Sequence, residues 1–308
     1  MNQCLDKILV FFLRGFTGFV TYAPWFLLNW IAILVSRVRS VLPGRELSWM
    51  HDNLKQIYGL PSHSFFAKKF RHQVFYHQVI SVLETIRCIH RPHLARWEGL
   101  TEFQKNVQRY EAADAAGDGE KPARRGQVLI TGHVGCWELV GWWAAQFSQQ
   151  SFYALAKPAR SKVLTEGLEA LRKKMGIHVL WTGQKTIQRQ MLKALAKGGW
   201  LGFVMDQKPV GRIGPRVRFM GHPTEFVAGP AKMATRSGLP VLGVFCLRLA
   251  PMNYRLVCHE VAPGGHEITD SDEMTQMMAD ELSRVIRAYP EQWCWNYKRW
   301  IFNQVSSD

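Results

Sequence analysis

Two side chains that could carry out acid–base chemistry, His133 and Glu138, lie in the segment VLITGHVGCWEL at residues 128–139. A carboxylate that accepts a hydrogen bond from one imidazole nitrogen orients the ring, and the other nitrogen can then accept a proton from a substrate. A histidine and a glutamate five positions apart also occur as ordinary packing or surface residues. The pair therefore indicates a general base only if the local structure brings the two side chains together.

The elements around the pair decide whether the two side chains can converge. On one continuous helix, positions five apart diverge by about 140°. An apolar run instead predicts a buried strand ending at Thr131, and Gly132 and Gly135 permit a sharp turn into a helix near residue 136. We therefore expect His133 at the carboxyl end of a strand and Glu138 in the first turn of the following helix.

Short apolar runs alternate with amphipathic helices from residue 127 onward. The expected strands are residues 128–131, 152–156, 178–181, 201–205, 241–247 and 254–261. Between them, Ser161 and Gly176 bound one helix, Pro230 and Gly238 bound another, and Thr269 opens a third. This alternation predicts an α/β fold with a mainly parallel central sheet flanked by helices, and ligands at the carboxyl ends of its strands.

The N-terminal region contains 21 consecutive residues without a charge, at positions 15–35. A helix of that length reaches about 30 Å, the thickness of a bilayer core. We expect a membrane-anchoring helix that spans the bilayer or lies in its interface, and a buried core helix is the alternative. The excess of Lys and Arg after the helix favours a catalytic body on the cytoplasmic side of the inner membrane.

The change from the apolar N-terminal stretch to the alternating strands and helices predicts a membrane helix and basic flank at residues 1–45 and a catalytic domain at residues 46–308. Residues 111–126 (EAADAAGDGEKPARRG) have the composition of a flexible surface insertion within that domain. The six cysteines show no metal-ligand spacing, so we expect neither a metal nor a cofactor.

Composition limits the class of partner. Of the 308 residues 47% are hydrophobic, which excludes a disordered chain, and the net charge of +15 calls for an anionic partner. We find no nucleic-acid-binding motif, and the aromatic residues lie in apolar strands and helices. An acidic membrane surface or an anionic substrate is therefore expected, and nucleic acid is not.

Several motifs in order resemble those of the bacterial lipid A biosynthesis acyltransferases, also called late or lauroyl/myristoyl acyltransferases. His133 and Glu138 match the family's histidine, four residues and acidic residue. GFVMDQKP at residues 202–209, VRFMGHPTEFVAGPAKMATRSGLPVL at 217–242 and PEQWCWNYKRW at 290–300 match further family segments. Cys136 stands where the family usually has Asn, and Met220 where a second Phe is common.

The resemblance implies a glycerol-3-phosphate acyltransferase-like fold and transfer of a fatty acyl chain from acyl carrier protein to a hydroxyl of a lipid A precursor. In this reading His133 is the general base and Glu138 orients it. A GxSxG nucleophile motif is absent from the sequence, which favours direct transfer over an acyl-enzyme, and Cys136 is expected to pack rather than react. Other possible acceptors are a phosphatidylinositol mannoside, an ornithine lipid or a lysophospholipid.

Further candidate substrate-binding residues follow the predicted strands. Asp206 and Gln207 either contact the acceptor or brace the loop that carries His133. Cationic residues that could bind phosphorylated sugars, or alternatively form a solvated basic face, are Lys157, Arg160, Lys208, Arg212, Arg216 and Arg218. Of Trp293, Trp295 and Trp300, at least two are expected in the core rather than in an interfacial patch.

Overall fold

A mixed β-sheet forms the centre of the part of the chain that the structure describes. This structure, a computed structural model, describes residues 3–106, 126–147, 151–159, 161–209, 214–264 and 268–300. The strands of the sheet are β1 (Arg96–Glu98), β2 (Gln127–Thr131), β3 (Phe152–Ala156), β4 (Ile177–Trp181), β5 (Trp200–Val204), β8 (Val241–Ala250) and β9 (Asn253–Ala262), and a separate hairpin pairs β6 (Arg216–Phe219) with β7 (His222–Glu225).

The order of strands across the sheet is β1-β9-β8-β2-β5-β3-β4. Neighbours are parallel, except that β8 and β9 form an antiparallel hairpin. This arrangement confirms the predicted α/β fold with a mainly parallel sheet. The six predicted strands all form, with ends that differ by at most a few residues from the predicted ones.

Helices cover both faces of the sheet. They include α1 (Gln3–Tyr22), α2 (Trp25–Val41), α3 (Arg45–Tyr58), α4 (Phe65–His90), α5 (Trp137–Phe147), α6 (Lys162–Lys174), α7 (Ile187–Ala196), α8 (Gly229–Ser237) and α9 (Ser271–Ala288). Ser161 caps α6 and Gly238 ends α8 in the left-handed conformation, as predicted. The last predicted start was wrong by one residue, because Asp270 rather than Thr269 caps α9.

Alternating side chains of the central strands enter two hydrophobic cores. Val128 and Ile130 of β2 pack with residues of α3, α7, α8 and α9, whereas Leu129 packs with α5 and the C-terminal end of α4. All five residues of β2 are buried. Strand β2 therefore lies deep between two helical layers, which gives the residues that follow it a rigid base.

The N-terminal apolar stretch forms two helices, so the prediction of one continuous helix over residues 15–35 was wrong. The helix stops at Tyr22 because Pro24 has no backbone N–H and disfavours helical geometry at the residue before it. Arg87 of α4 donates a hydrogen bond to the carbonyl of Ala23, which the break leaves free.

Helices α1 and α2 bury one side against α4 and expose the other. Val20, Leu28 and Ala32 pack with Ile80 and Leu83 of α4. Among the described residues, no single helix is long and apolar enough to cross a bilayer, although α2 and α3 together reach that criterion as a pair bent by 80°. Of the predicted insertion, residues 111–125 lie outside the described residues, and Gly126 is buried.

Candidate active site

His133 is bonded to Asp206 rather than to Glu138. Its Nδ1 atom lies 2.7 Å from Asp206 Oδ1, and its backbone N–H donates to Asp206 Oδ2 at 3.0 Å. Asp206 is buried, whereas the His133 side chain is 23% exposed. Because Nδ1 faces the carboxylate, Nε2 is the ring nitrogen left to exchange a proton with a substrate.

Strand pairing explains why these two residues meet. In the parallel pair β2 and β5, Thr131 lies opposite Val204. His133 and Asp206 each follow their strand by two residues, so both emerge at the same carboxyl edge. Of the two roles considered for Asp206, the geometry supports bracing of the histidine loop.

A C-terminal segment, residues 292–294, forms hydrogen bonds with Asp206 and with the loop that carries His133. The Trp293 indole N–H donates to Asp206 Oδ2 at 2.7 Å. The backbone N–H of Cys294 donates to the His133 carbonyl at 3.2 Å, and Gly135 N–H donates to the Gln292 carbonyl at 3.0 Å.

A buried ion pair supports this segment from beneath. Glu84 of α4 accepts hydrogen bonds from Arg248 Nε and Nη2 at 2.8 and 2.9 Å and from the Tyr254 hydroxyl at 2.9 Å. The Gln292 side chain in turn exchanges two hydrogen bonds with the Arg248 backbone, at 2.9 and 2.8 Å. The loop that carries His133 is thus tied to the centre of the fold.

The environment shifts the titration of both partners. Burial alone would lower the pKa of His133, but the charge and hydrogen bond of Asp206, with a smaller effect of Glu138, raise it above its ordinary value. Burial alone would raise the pKa of Asp206, but His133 and the indole of Trp293 hold it below its ordinary value. Each partner thus favours the charged form of the other.

Glu138 has a different partner from the one predicted. Its carboxylate accepts hydrogen bonds from Arg172 Nε at 3.1 Å and Nη2 at 2.5 Å. The prediction that Glu138 hydrogen-bonds the imidazole is corrected, because the carboxylate is directed toward α6 and Asp206 occupies Nδ1. The ion pair instead joins the first turn of α5 to the last turn of α6.

The predicted turn glycine is required by geometry. Gly135 has φ of +60°, and a Cβ atom there would lie 2.2 Å from the carbonyl oxygen of Cys246. Cys136 beside it is 1% exposed, and burial raises the pKa of its thiol well above the ordinary value. This places Cys136 in the core, in agreement with the expected packing role.

Of the remaining predicted ligands, Lys157, Gln207 and Lys208 follow β3 and β5, whereas Arg216 and Arg218 lie on the separate hairpin strand β6. Lys208 Nζ lies 3.8 Å from Glu225 Oε2. The side chains that the structure leaves exposed are those of Lys157, Gln207, Arg216 and Arg218, whereas Arg160 and Arg212 lie outside the described residues. Trp293, Trp295 and Trp300 are all buried, so the core position expected for at least two of them is confirmed.

Two features of the site escaped the sequence argument. Arg172 is one of three basic residues in the last turn of α6, and nothing in that run marks it as the partner of Glu138. Trp293 lies in a segment that the motif comparison singled out, but its bond to Asp206 depends on strand order and chain packing. Neither strand order nor chain packing can be read from the sequence.

An apolar cavity lies beside the turn that follows His133. It has a volume of about 220 Å³ and lies between α4, the start of α5 and α6. Val82, Ile86 and Leu168 contribute to its walls, as do Trp137 and Glu138 of the helix that follows the histidine loop. The rings of Trp137 and His133 are 5.1 Å apart. The cavity could receive an apolar chain with its reactive end at His133.

Comparison with known proteins places this arrangement in a family. The model of the bacterial lipid A biosynthesis acyltransferase family matches residues 19–301. The chain belongs to this family. The match includes His133, Glu138, Asp206 and Trp293.

Curated relatives share part of the chain. Phosphatidylinositol mannoside acyltransferase of Mycobacterium tuberculosis is 27% identical over 187 residues, which are 60% of this chain and 57% of that protein. The protein of the same name from Mycolicibacterium smegmatis is 28% identical over 180 residues, 58% of each chain. The chain therefore spans less than two thirds of the length of these relatives.

Proposed function

We propose that this chain is an O-acyltransferase that moves a fatty acyl group from an acyl thioester to a hydroxyl of a glycolipid, with a lipid A precursor as acceptor and acyl carrier protein as donor. The observation that carries the proposal is the bonded pair of His133 and Asp206 next to an apolar cavity, in a chain of an acyltransferase family.

The proposed mechanism uses His133 as general base. Nε2 accepts the proton of the acceptor hydroxyl while the hydroxyl oxygen attacks the thioester carbonyl carbon. Asp206 stabilises the resulting imidazolium through Nδ1. When the tetrahedral intermediate collapses, the C–S bond breaks, and the departing sulfur takes the proton from Nε2. The acyl group passes directly to the acceptor, which agrees with the buried position of Cys136.

Glu138 acts in this mechanism through the turn rather than through the imidazole. Its ion pair with Arg172 holds the start of α5 against α6, and both residues line the apolar cavity. We assign the cavity to the acyl chain, because its walls are predominantly apolar and include residues of the turn that follows His133.

A phosphatidylinositol mannoside is the second candidate acceptor. The curated relatives carry that name, and the exposed cations Lys157, Arg216 and Arg218, with the partly exposed Lys208, suit the phosphate of either acceptor. Lipid A precursors remain our first choice because the family model covers more of the chain than the relatives do.

We also propose that the protein works at the cytoplasmic face of the inner membrane. Aromatic side chains on the outer sides of α1 and α2 support this location: Phe11 is 74% exposed, Phe26 64% and Trp30 63%. Arg37, Arg39 and Arg45 follow on the same segment and suit acidic headgroups.

Acyl transfer by the purified full chain tests the proposal. Acyl carrier protein charged with a fatty acid would be incubated with a lipid A precursor or a phosphatidylinositol mannoside, and the mass of the lipid product would be measured. We expect acylation of one acceptor and a loss of about a hundredfold or more in His133→Ala with the fold intact by circular dichroism. Full activity of that variant would refute the mechanism, and product only with the mannoside would select the second acceptor.

A further inference from the structure

Trp293 bridges the two sides of the proposed catalytic pair. Its backbone forms an antiparallel bridge with Val134, the residue after His133. Its indole N–H donates to Asp206 Oδ2 at 2.7 Å, the oxygen that also accepts the His133 backbone N–H. Trp293 therefore contacts both the loop that carries His133 and the carboxylate of Asp206.

The packing of Trp293 leaves its indole little freedom. The residue is 2% exposed. Its ring lies edge-on to those of Phe219, Trp295 and Trp300, at centroid distances of 5.7, 4.7 and 6.0 Å. The N–H is thus held toward Asp206 by a rigid aromatic cluster.

We propose that Trp293 is a positioning residue of the catalytic pair, whose indole N–H stabilises the Asp206 carboxylate and thereby favours the form of the pair in which His133 can accept a proton. The inference rests on the proposed function of His133. Its physical basis is the charge of the pair: neutral imidazole with carboxylate carries one negative charge, whereas imidazolium with carboxylate carries none. A hydrogen bond donated to the carboxylate stabilises the state with neutral imidazole more than the state with imidazolium, because in the second state the imidazolium already neutralises the carboxylate.

The hydrogen bond from Trp293 to Asp206 therefore opposes the effect of Asp206 on the pKa of His133. Asp206 raises the pKa of His133, and an imidazole that is protonated at neutral pH cannot act as a base. Glu138 also acts on His133, and Cys294, Tyr297 and Arg299 are coupled electrostatically to Asp206. A change confined to the indole leaves all four groups in place, so the direction of its effect is set by the lost N–H.

The test compares Trp293→Phe with Trp295→Phe in the full chain. Trp295 is a matched control, because it is buried in the same cluster and its indole donates to the Pro290 carbonyl at 2.7 Å, away from Asp206. We expect the acidic limb of the pH profile of kcat/KM to move upward by about half a pH unit or more in Trp293→Phe, with activity recovering at higher pH. Trp295→Phe should keep the original limb.

Equal loss at every pH in Trp293→Phe, a downward shift, or the same upward shift in both variants would overturn the inference. Replacement of Trp293 by 3-benzothienylalanine, which keeps the fused rings but lacks the N–H, repeats the measurement if the Phe variant does not fold. Titration of His133 by ¹⁵N-histidine NMR measures the same shift without turnover. A failed acyl-transfer assay would therefore refute the proposed function without deciding the role of Trp293, and the NMR titration would decide it.

Discussion

At the scale of single residues, the site depends on which carboxylate contacts His133. Asp206 makes two hydrogen bonds to this residue, one to the ring and one to the backbone, whereas Glu138 influences it only through space. A buried carboxylate directed at Nδ1 selects one tautomer and compensates the charge of the imidazolium. The conspicuous spacing of the sequence motif therefore points to His133, the proposed base, but not to its hydrogen-bond partner.

Substitution of each carboxylate by its amide separates the two roles. In Asp206→Asn we expect kcat to fall by about ten-thousandfold, as for removal of the orienting carboxylate in other histidine-based catalysts. The pKa of His133 should fall as well, because only the smaller effect of Glu138 still opposes burial. Glu138→Gln should keep the acidic limb of the pH profile near its original position. Measurement of kcat and kcat/KM against pH gives both the loss of rate and the position of the acidic limb. A Glu138→Gln limb displaced as far as that of Asp206→Asn would contradict the assignment.

At the scale of elements, parallel strand pairing and a tight turn bring the residues together. Strands β2 and β5 are neighbours in the sheet although about 70 residues separate them in the chain, and their carboxyl ends present His133 and Asp206 side by side. The turn after β2 then passes so close to β8 that only a glycine fits at position 135.

We expect Gly135→Ala to destabilise the protein and to lower activity. The left-handed backbone costs a residue with a side chain about 1–2 kcal/mol, and the contact with the Cys246 carbonyl adds to this. Gly167→Ala is the matched control: Gly167 lies inside α6, and a methyl group there would meet no atom within 4 Å, so this variant should gain about 0.5–1 kcal/mol. Thermal and urea unfolding measure both. Unchanged stability of Gly135→Ala would contradict the packing of the turn.

At the scale of the whole molecule, the apolar surface of α1 and α2 and the positive charge act together. Burial of exposed aromatic rings in a bilayer interface is favourable, and cations beside them add attraction to acidic lipids that salt weakens. The same two helices pack against α4, which also carries Glu84 of the buried network beneath the site. The proposed membrane surface and the proposed active site are thus parts of one packed body.

Vesicle binding tests the proposed membrane surface. Serine at both Phe26 and Trp30 should weaken binding to vesicles of acidic phospholipid by about tenfold or more, since each ring buries substantial apolar area. Leu94→Ser, which changes an exposed apolar residue outside α1 and α2, should bind like the original chain. Co-sedimentation at low and high salt measures the affinities. Equal binding of the double variant and the original chain would show that another surface meets the membrane.

Local periodicity, capping and turn chemistry were enough to predict the fold class, six of the strands, the glycine turn and the position of His133 after a strand. The contacts of Asp206 with His133, of Glu138 with Arg172 and of Trp293 with the Asp206 carboxylate could be found only from the folded chain. Those contacts join segments from distant parts of the chain. They arise from the order of strands in the sheet and from the packing of the C-terminal segment, which no local pattern encodes.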